Sequence, residues 1–345
     1  RAGDAWEDEG STHSASIIPC ENGHEVRVTV GLEGEASPVG LLRHPVEGDA
    51  AAREAAYEDT SDEGVKRLRD AGAVITAIHI EDRTDEWLDS TDLDLIEICN
   101  LHILLAPNIR GEVGLDPGAA AAAFAGWVFD LDNYPKTSDL VFLEFHQRVP
   151  YYMERWDRQL GLRMIGGFAG NDAHQNVMQS PMADGERPDS YRRMMKWYVN
   201  HLLVVSRTAA AAGEAFGAGR LYQVFEVLGT PADFDFRAEQ GDSVFEMGEV
   251  VPAGAPVTFR APVPQVLGVS PGTDAVRMVL FKITATEVEV VYDGAGPLEH
   301  ENAAPGRYRI EVFMTPKHLQ PFLRRDADRL IKELPWIYSN PIEVQ

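Results

Sequence analysis

Gly166-Gly167-Phe168-Ala169-Gly170-Asn171-Asp172-Ala173-His174 is the stretch on which the reading of this chain turns. A short apolar run with glycines leads directly into a carboxylate and an imidazole two positions apart. Along an extended backbone, residues i and i+2 point to the same side, so Asp172 and His174 can face one pocket. An acidic oxygen beside an imidazole nitrogen suits a divalent metal of intermediate hardness, such as zinc, manganese or iron. A lone D-x-H pair is common by chance, and its place after a strand-like run is what gives it weight. Asp172 also reads as a helix N-cap, a frequent use of aspartate.

Outward from this stretch, strand-like runs alternate with helical patterns. Residues 25–31 alternate, with Val26, Val28 and Val30 on one face, and read as a strand. Residues 50–71 look helical with a break near 61–64, and Gly72 closes that helix. Residues 73–80 and 93–99 are strongly apolar strands, and 162–168 is another. Pro117 opens an Ala-rich helix over 118–129. Residues 138–146 fit either a strand or a helix, and 151–160 fit a helix. From Asp189 to about Gly213 the pattern predicts one long helix carrying Tyr191, Met194, Met195, Tyr198, Leu202 and Val205.

This alternation implies an α/β layer or barrel. After Gly219 the texture changes: the short runs 221–228, 256–261, 275–283, 287–292 and 308–313 are separated by Gly, Pro and Asp. That pattern predicts a small antiparallel β-sandwich. The expected domains are therefore residues 1–218 and 219–345. The segment 319–334 fits a helix or an insertion loop.

In barrels of parallel strands, reactive side chains sit at the C-terminal strand ends. Glu33 follows the first alternating strand, His79 lies at the end of the strand from Ala73, and Asp172 and His174 follow the strand ending near Phe168. Three strand ends thus each offer a metal-competent ligand. Blander readings exist for each. Glu33 can be a solvated turn acid, with Glu35 in its place as ligand. His79, between Ile78 and Ile80, can be a core histidine. His44 in Leu41-Leu42-Arg43-His44-Pro45 can be a loop residue or a further ligand. His102 follows a fourth strand end, and Glu97 lies within that strand as an acid or as a buried partner to a base.

Composition narrows the function classes. The 345 residues suffice for two domains, and 44% of them are hydrophobic, enough for a sizeable core. The net charge of −24 repels phosphate backbones and argues against nucleic-acid binding. Only six lysines are present, a bias that fits either a salty habitat or a GC-rich genome. No run of about 18 apolar residues occurs, so no membrane span is expected. Cys20 and Cys99 are the only cysteines, which excludes a disulfide framework and a multi-cysteine zinc site. Neither a phosphate-binding G-x-x-x-x-G-K-[ST] loop, a G-x-G-x-x-G turn, a G-x-S-x-G elbow nor an H-E-x-x-H helix is present.

The quoted elements, taken together, resemble the polymerase and histidinol phosphatase (PHP) superfamily. Gly31-Leu32-Glu33 is similar to its G-x-E element and Ala77-Ile78-His79 to its strand-end histidine. Gly170-Asn171-Asp172-Ala173-His174 is similar to its late G-[SN]-D-A-H element, and 94–100 to the strand between these two. Residues 217–222 and 335–342 resemble the branch with a C-terminal β-domain, which includes carbaryl-type carbamate hydrolases. The resemblance implies a distorted (β/α)7 barrel, TIM-barrel-like, followed by the β-sandwich. It further implies up to three divalent metal ions (Zn, Mn or Fe), with Glu33 bridging two of them. His79, Asp172 and His174 would be terminal ligands and His44 a further one.

The family opens with H-x-H on its first strand and a D-H pair on its second, and this chain shows neither; His13 has no strand pattern before it. Either those segments precede Arg1 or the barrel lacks its first strands. The expected function is a metal-dependent hydrolase that uses a metal-activated water on a phosphoester or a carbamate or amide bond of a small-molecule substrate. Glu97 or His102 would orient ligands or protonate the leaving group. The alternative is a non-catalytic binding or structural protein built on an incomplete barrel. An exported and a cytoplasmic location both fit, and the oligomeric state is left open.

Overall fold

The computed structural model describes residues 15–29, 31–118, 138–175, 180–182 and 184–345. The protein is a mixed α/β protein with a parallel β/α sheet region and a C-terminal antiparallel sheet region. No closed barrel is found among the described residues. The chain divides into two compact units. One comprises residues 1–97, 165–167 and 202–221, and the other residues 98–164, 168–201 and 222–345.

In the first unit, β1 (Ala15–Pro19) and β2 (Glu25–Thr29) form an antiparallel hairpin sheet of their own. The alternating run 25–31 is therefore a hairpin strand and not a strand of a parallel barrel. A two-stranded ribbon has no third strand to cover it, which leaves Val26 and Val28 exposed; Val30 lies outside the described residues. β3 (Ser37–Val39) pairs antiparallel with β4 (Val74–Ala77), Ser37 opposite Thr76 and Val39 opposite Val74. β4 runs parallel to β5 (Leu95–Asn100), Thr76 beside Leu95, and β6 (Gly166–Gly170) completes the order β3-β4-β5-β6.

The helical reading of 50–71 resolves into Ala50–Tyr57 and Asp62–Asp70, whose first turns are capped by the side chains of Asp49 and Ser61. Gly72, at φ 93°, then turns the chain into β4; a Cβ there would stand 2.7 Å from the Leu42 side chain. The Asp94 carboxylate ties this layer together. It accepts from Arg69 Nη1 through both oxygens, at 2.8 and 2.7 Å, and from the Ile75 backbone N–H at 2.7 Å. Leu41, Leu68, Ile75, Ala77, Leu95 and Ile96 are buried in this unit.

The second unit holds the antiparallel region. Gly306–Thr315 is its central strand, pairing with Ala275–Ile283, Leu334–Ser339 and Ile342–Val344. Leu334–Ser339 pairs in turn with β8 (Leu221–Phe225), which neighbours β7 (Tyr198–Leu202). A four-stranded antiparallel sheet has Arg237–Gln240 and Thr258–Ala261 as its inner strands. Helix Pro150–Leu162 is fastened to the central strand by charge. Arg309, buried, places its guanidinium on Asp157 at 2.7 and 2.8 Å and on Glu311 at 2.7 Å. It also lies over the rings of Trp156 and Phe281. Arg148 grips Glu311 from the other side at 2.7 and 2.9 Å. Burial pushes the Glu311 carboxyl up, but the two guanidiniums outweigh it and hold it below the usual range.

The long helix expected from Asp189 to Gly213 does not form. The segment is a short helix Tyr191–Met194, the strand β7 and a helix Ala209–Gly217. Tyr191, Met195 and Val205 are exposed, so the apolar spacing mixes strand and surface residues with core ones. Thr208 caps the last helix through Ala211 N–H, a stop-and-start signal inside the apparent period. Residues 138–144 are a 3-10 helix, and 319–334 contains the short helices Gln320–Leu323 and Ala327–Leu330. Pro117 and Gly118 are helical; the rest of the expected Ala-rich helix and His13 lie outside the described residues. Both cysteines are free thiols. No helix of the described residues is long and apolar enough to cross a membrane.

Candidate functional site

In the first unit, β4 ends at Ala77 and the chain turns sharply at His79, whose φ of 49° is left-handed. That conformation is costly for a residue with a Cβ. It is held by Glu97 of β5, whose buried carboxylate accepts the His79 backbone N–H at 3.0 Å. The turn projects the imidazole between two carboxylates: Nε2 lies 3.1 Å from Glu33 Oε1, and Nδ1 lies 3.2 Å from Glu81 Oε1. Glu33 is half exposed and Glu81 is buried. An imidazole with one nitrogen toward an open acid and the other braced by a buried acid has the form of a metal-ligating histidine with its supporting partner.

In the second unit the arrangement is inverted: one carboxylate stands between two imidazoles. Asp172, itself left-handed at φ 47°, keeps its side chain 4% exposed. His102 Nδ1 lies 2.7 Å from Asp172 Oδ2, and His174 Nε2 is hydrogen-bonded to Asp172 Oδ1. Two asparagines fix this loop against β7. Asn171 donates to Tyr198 O at 3.0 Å and accepts from Tyr198 N–H at 3.2 Å. Asn200 accepts from Ala169 N–H and donates to Ala169 O, both at 2.9 Å. His102 is aimed by Asn100 at the end of β5, whose side chain accepts the His102 N–H at 2.7 Å and starts helix Leu101–Leu105.

The residues selected in the sequence thus fall into two sets. Glu33, His79 and Glu97 meet in the first unit, and His102, Asp172 and His174 meet in the second. His44 stands apart from its own unit's set, with Nδ1 3.0 Å from the Tyr57 hydroxyl and its ring edge-on to Tyr57. Residues 171–175 are not helical, so Asp172 does not act as an N-cap. Glu81, Asn100 and Asn200 carry supporting roles that sequence reading did not single out. The i+2 spacing of Glu81 from His79 was the available signal. Arg110 is buried, with its guanidinium donating to Leu104 O and Asp116 O, which makes it a helix-end brace.

A second acidic group lies in the second unit. Asp139, Asp184 and Glu186 bring ligand oxygens within 4.8 Å of one another. Arg192 reaches Asp139 at 2.9 Å and also pairs with Glu186. Arg193 reaches Asp139 at 2.5 Å and Asp184 at 2.8 Å, and Lys196 lies 3.3 Å from Asp139. Burial raises the Asp139 and Asp184 carboxyls, but the surrounding cations hold both below the usual range.

Comparison with known proteins finds no matching family model, no matching curated protein and no matching solved structure.

Proposed function

We propose that this chain is a metal-dependent hydrolase of the PHP-like kind, acting on a phosphoester or on a carbamate or amide bond. The observation that carries the reading is Asp172 held between His102 and His174 on a loop pinned by two asparagines. A left-handed aspartate and a left-handed histidine, each at the end of a short strand and each braced by side-chain-to-backbone bonds, are local strain of the kind that collects at functional sites. The donor set of carboxylates and imidazoles fits zinc, manganese or iron.

In this reading Glu33 and His79 are ligands in the first unit, and Asp172 and His174 in the second. Glu81 and His102 orient them. A divalent metal supplies Lewis-acid polarisation of the scissile group and lowers the pKa of water toward about 7. Such chemistry needs no protein nucleophile, consistent with the lack of serine and cysteine motifs. The sheet β3-β4-β5-β6 then corresponds to part of a distorted (β/α)7 barrel, and the antiparallel region to the β-domain of the carbamate-hydrolysing branch. Up to three metal ions belong to this proposal.

The rival reading is a binding or structural protein, favoured by the fact that these acids and imidazoles already satisfy one another. Metal analysis separates the two. The purified chain should retain zinc, manganese or iron, and Asp172→Ala with His174→Ala should lower its content and abolish turnover of an aryl phosphodiester or an aryl carbamate. Metal content and turnover unchanged in that double variant would remove the enzyme reading.

A further inference from the structure

The loop that carries His174 is held at both ends, and all the groups that hold it belong to the second unit. Asn171 and Asn200 fix its start against β7. At its far end Gln175 is left-handed, at φ 56°, and Asp172 is left-handed at 47°, so Ala173 and His174 stand between two such residues. For a residue with a Cβ this conformation costs roughly 1–2 kcal/mol, and it persists only where the surroundings over-determine it. At Gln175 the determining group is Arg187, whose Nη2 donates to Gln175 O. Asp189, buried, holds the same guanidinium in a fork, with Nε on Oδ1 and Nη2 on Oδ2, both at 2.9 Å.

Arg187 is anchored in turn through its own carbonyl. That oxygen accepts from the Ser190 N–H and from Arg193 Nε, both at 3.3 Å. Arg193 is fully buried, and its Nη1 and Nη2 reach Asp139 and Asp184 at 2.5 and 2.8 Å. The Ser190 hydroxyl starts helix Tyr191–Met194 by accepting the Arg193 N–H at 3.2 Å. A continuous line of bonds therefore runs from the acid–cation group, through Arg187, to the peptide that follows His174. Charge-assisted bonds are about twice as strong as neutral ones, and a two-point guanidinium fork fixes direction as well as distance. The His174 side chain is 43% exposed. Packing constrains such a ring weakly, so the backbone beneath it decides whether Nε2 meets Asp172 Oδ1.

The geometry points to Arg187 as the positioning residue of His174, with the acid–cation group behind it as its anchorage. Arg187 acts through the Gln175 peptide and is not itself a ligand, since a guanidinium has no lone pair to offer a metal. The group of Asp139, Asp184 and Glu186 thereby has a use that needs no bound cation: its arginines hold the segment from which Arg187 reaches the loop. What His174 is positioned for rests on the hydrolase reading; that Arg187 positions it does not. Groups that orient a metal ligand typically contribute about tenfold to a hundredfold to metal affinity.

Two measurements on the full chain test it, one without metal and one with it. In metal-free protein at mildly alkaline pH, the imidazole nitrogen shifts of His174 should report a proton fixed on Nε2, the nitrogen bonded to Asp172. Arg187→Gln should move them to the averaged values of a free histidine and leave those of the buried His146 unchanged. In competition with a chromophoric chelator, Arg187→Gln should weaken zinc binding about tenfold or more. In a His174→Ala background the same substitution should change affinity by less than about twofold, because Arg187 acts through that ring. Arg187→Lys keeps the charge and loses the fork; it should repeat both effects in weaker form, and it carries the test if the glutamine variant does not fold. Averaged His174 shifts already present in the unaltered chain, His174 shifts unmoved in a folded variant, His146 shifts moving along with them, or zinc affinity falling equally with and without the His174 ring would each overturn the inference. A chain that takes up no zinc, manganese or iron would remove the hydrolase reading alone, and the metal-free shifts would still decide the role of Arg187.

Discussion

Two carboxylate sites of the second unit, one of three acids and one of Asp172 alone, differ in what surrounds them. Asp139, Asp184 and Glu186 converge as a cation site would, yet Arg192, Arg193 and Lys196 meet them with three positive charges. Asp172 meets imidazoles instead. Guanidinium and ammonium groups have no acceptor and stay charged at neutral pH. They fill the carboxylate lone pairs and leave nothing for a metal to exchange. An imidazole can give up its proton and present a lone pair, so the same contacts that hold Asp172 in place can be traded for metal bonds. The spacing of carboxylates therefore does not distinguish an ion-pair network from a ligand set; the type of partner does.

The largest test of this contrast is Arg193→Met. Arg193 is fully buried and holds two partly exposed acids. Breaking a buried pair by removing one partner costs about 3–5 kcal/mol, and the exposure of the acids places this case near about 3 kcal/mol. Urea unfolding should show that loss, and millimolar manganese should restore part of it, because the acids then resemble a vacant ligand set. Manganese without effect on the variant would break the claim that partner type decides.

His146 supplies the next test, as an imidazole without a carboxylate. It is buried against Trp197, Tyr198 and Phe225, its Nε2 donates to Pro335 O at 2.7 Å, and burial pushes its pKa down to about 4. The folded state therefore binds its proton less readily than the unfolded state, where the value is near 6.5. Its stabilising contribution is complete above pH 6.5, declines as pH falls, and is lost below about 4, a total of about 3 kcal/mol. His146→Leu should flatten that part of the stability profile. A wild-type curve already flat between pH 6.5 and 4 would contradict the buried neutral imidazole. The depressed carboxyls of Asp139, Asp184 and Glu186 act in a lower window: their contribution is present above the ordinary carboxylate range and is lost as pH falls through their folded values.

Much of this was legible from short-range chemistry. Gly72 and the apolar run after it mark β4, and the 275–283 and 308–313 runs mark strands found at Ala275–Ile283 and Gly306–Thr315. The Asp172–His174 pair is readable from its i, i+2 spacing after β6, although the backbone at Asp172 is left-handed and not extended, and the Asp172 carboxylate meets His174 through that turn. The long helix over 189–213 was misread because apolar residues at helical spacing came from three different elements, and only the pairing of β7 in the sheet decides between them. The hairpin β1–β2 was hidden for a related reason: period-two alternation identifies a strand but not its partner. Asn200 and Arg309 were invisible in another way: their roles depend on backbone or charged groups distant in sequence, of which a single chain of letters carries no signal. Glu81 had only its i+2 spacing from His79 to point to it, and that spacing brings the two together through the turn at His79.

A smaller effect is expected where the two kinds of partner meet in one residue's support. Glu81 braces His79 Nδ1 in the first unit. Carboxylates in this position typically contribute tenfold or more to metal affinity, so Glu81→Gln should weaken zinc retention about tenfold in competition with a chelator. It should leave thermal unfolding of the metal-free chain nearly unchanged. An equal loss of stability in metal-free protein would make Glu81 a structural brace only.

The smallest effect belongs to Lys196, and it sets the lower bound of the contrast. Its ammonium reaches Asp139 at 3.3 Å, the same acid that Arg192 and Arg193 hold, but its side chain is 56% exposed. Exposed pairs contribute roughly 0.2–1 kcal/mol because water screens the charges and holding a long side chain costs entropy. Asp139 also has two better donors already. Lys196→Ala should therefore cost less than about 0.5 kcal/mol, and the difference should vanish in about 1 M salt, where the screening length is near 3 Å. Arg193, buried beside the same oxygen, should keep most of its effect in that salt. If both variants lost their effect equally, the acidic group would be a surface network throughout, and burial of the cation would not be what closes it to metal.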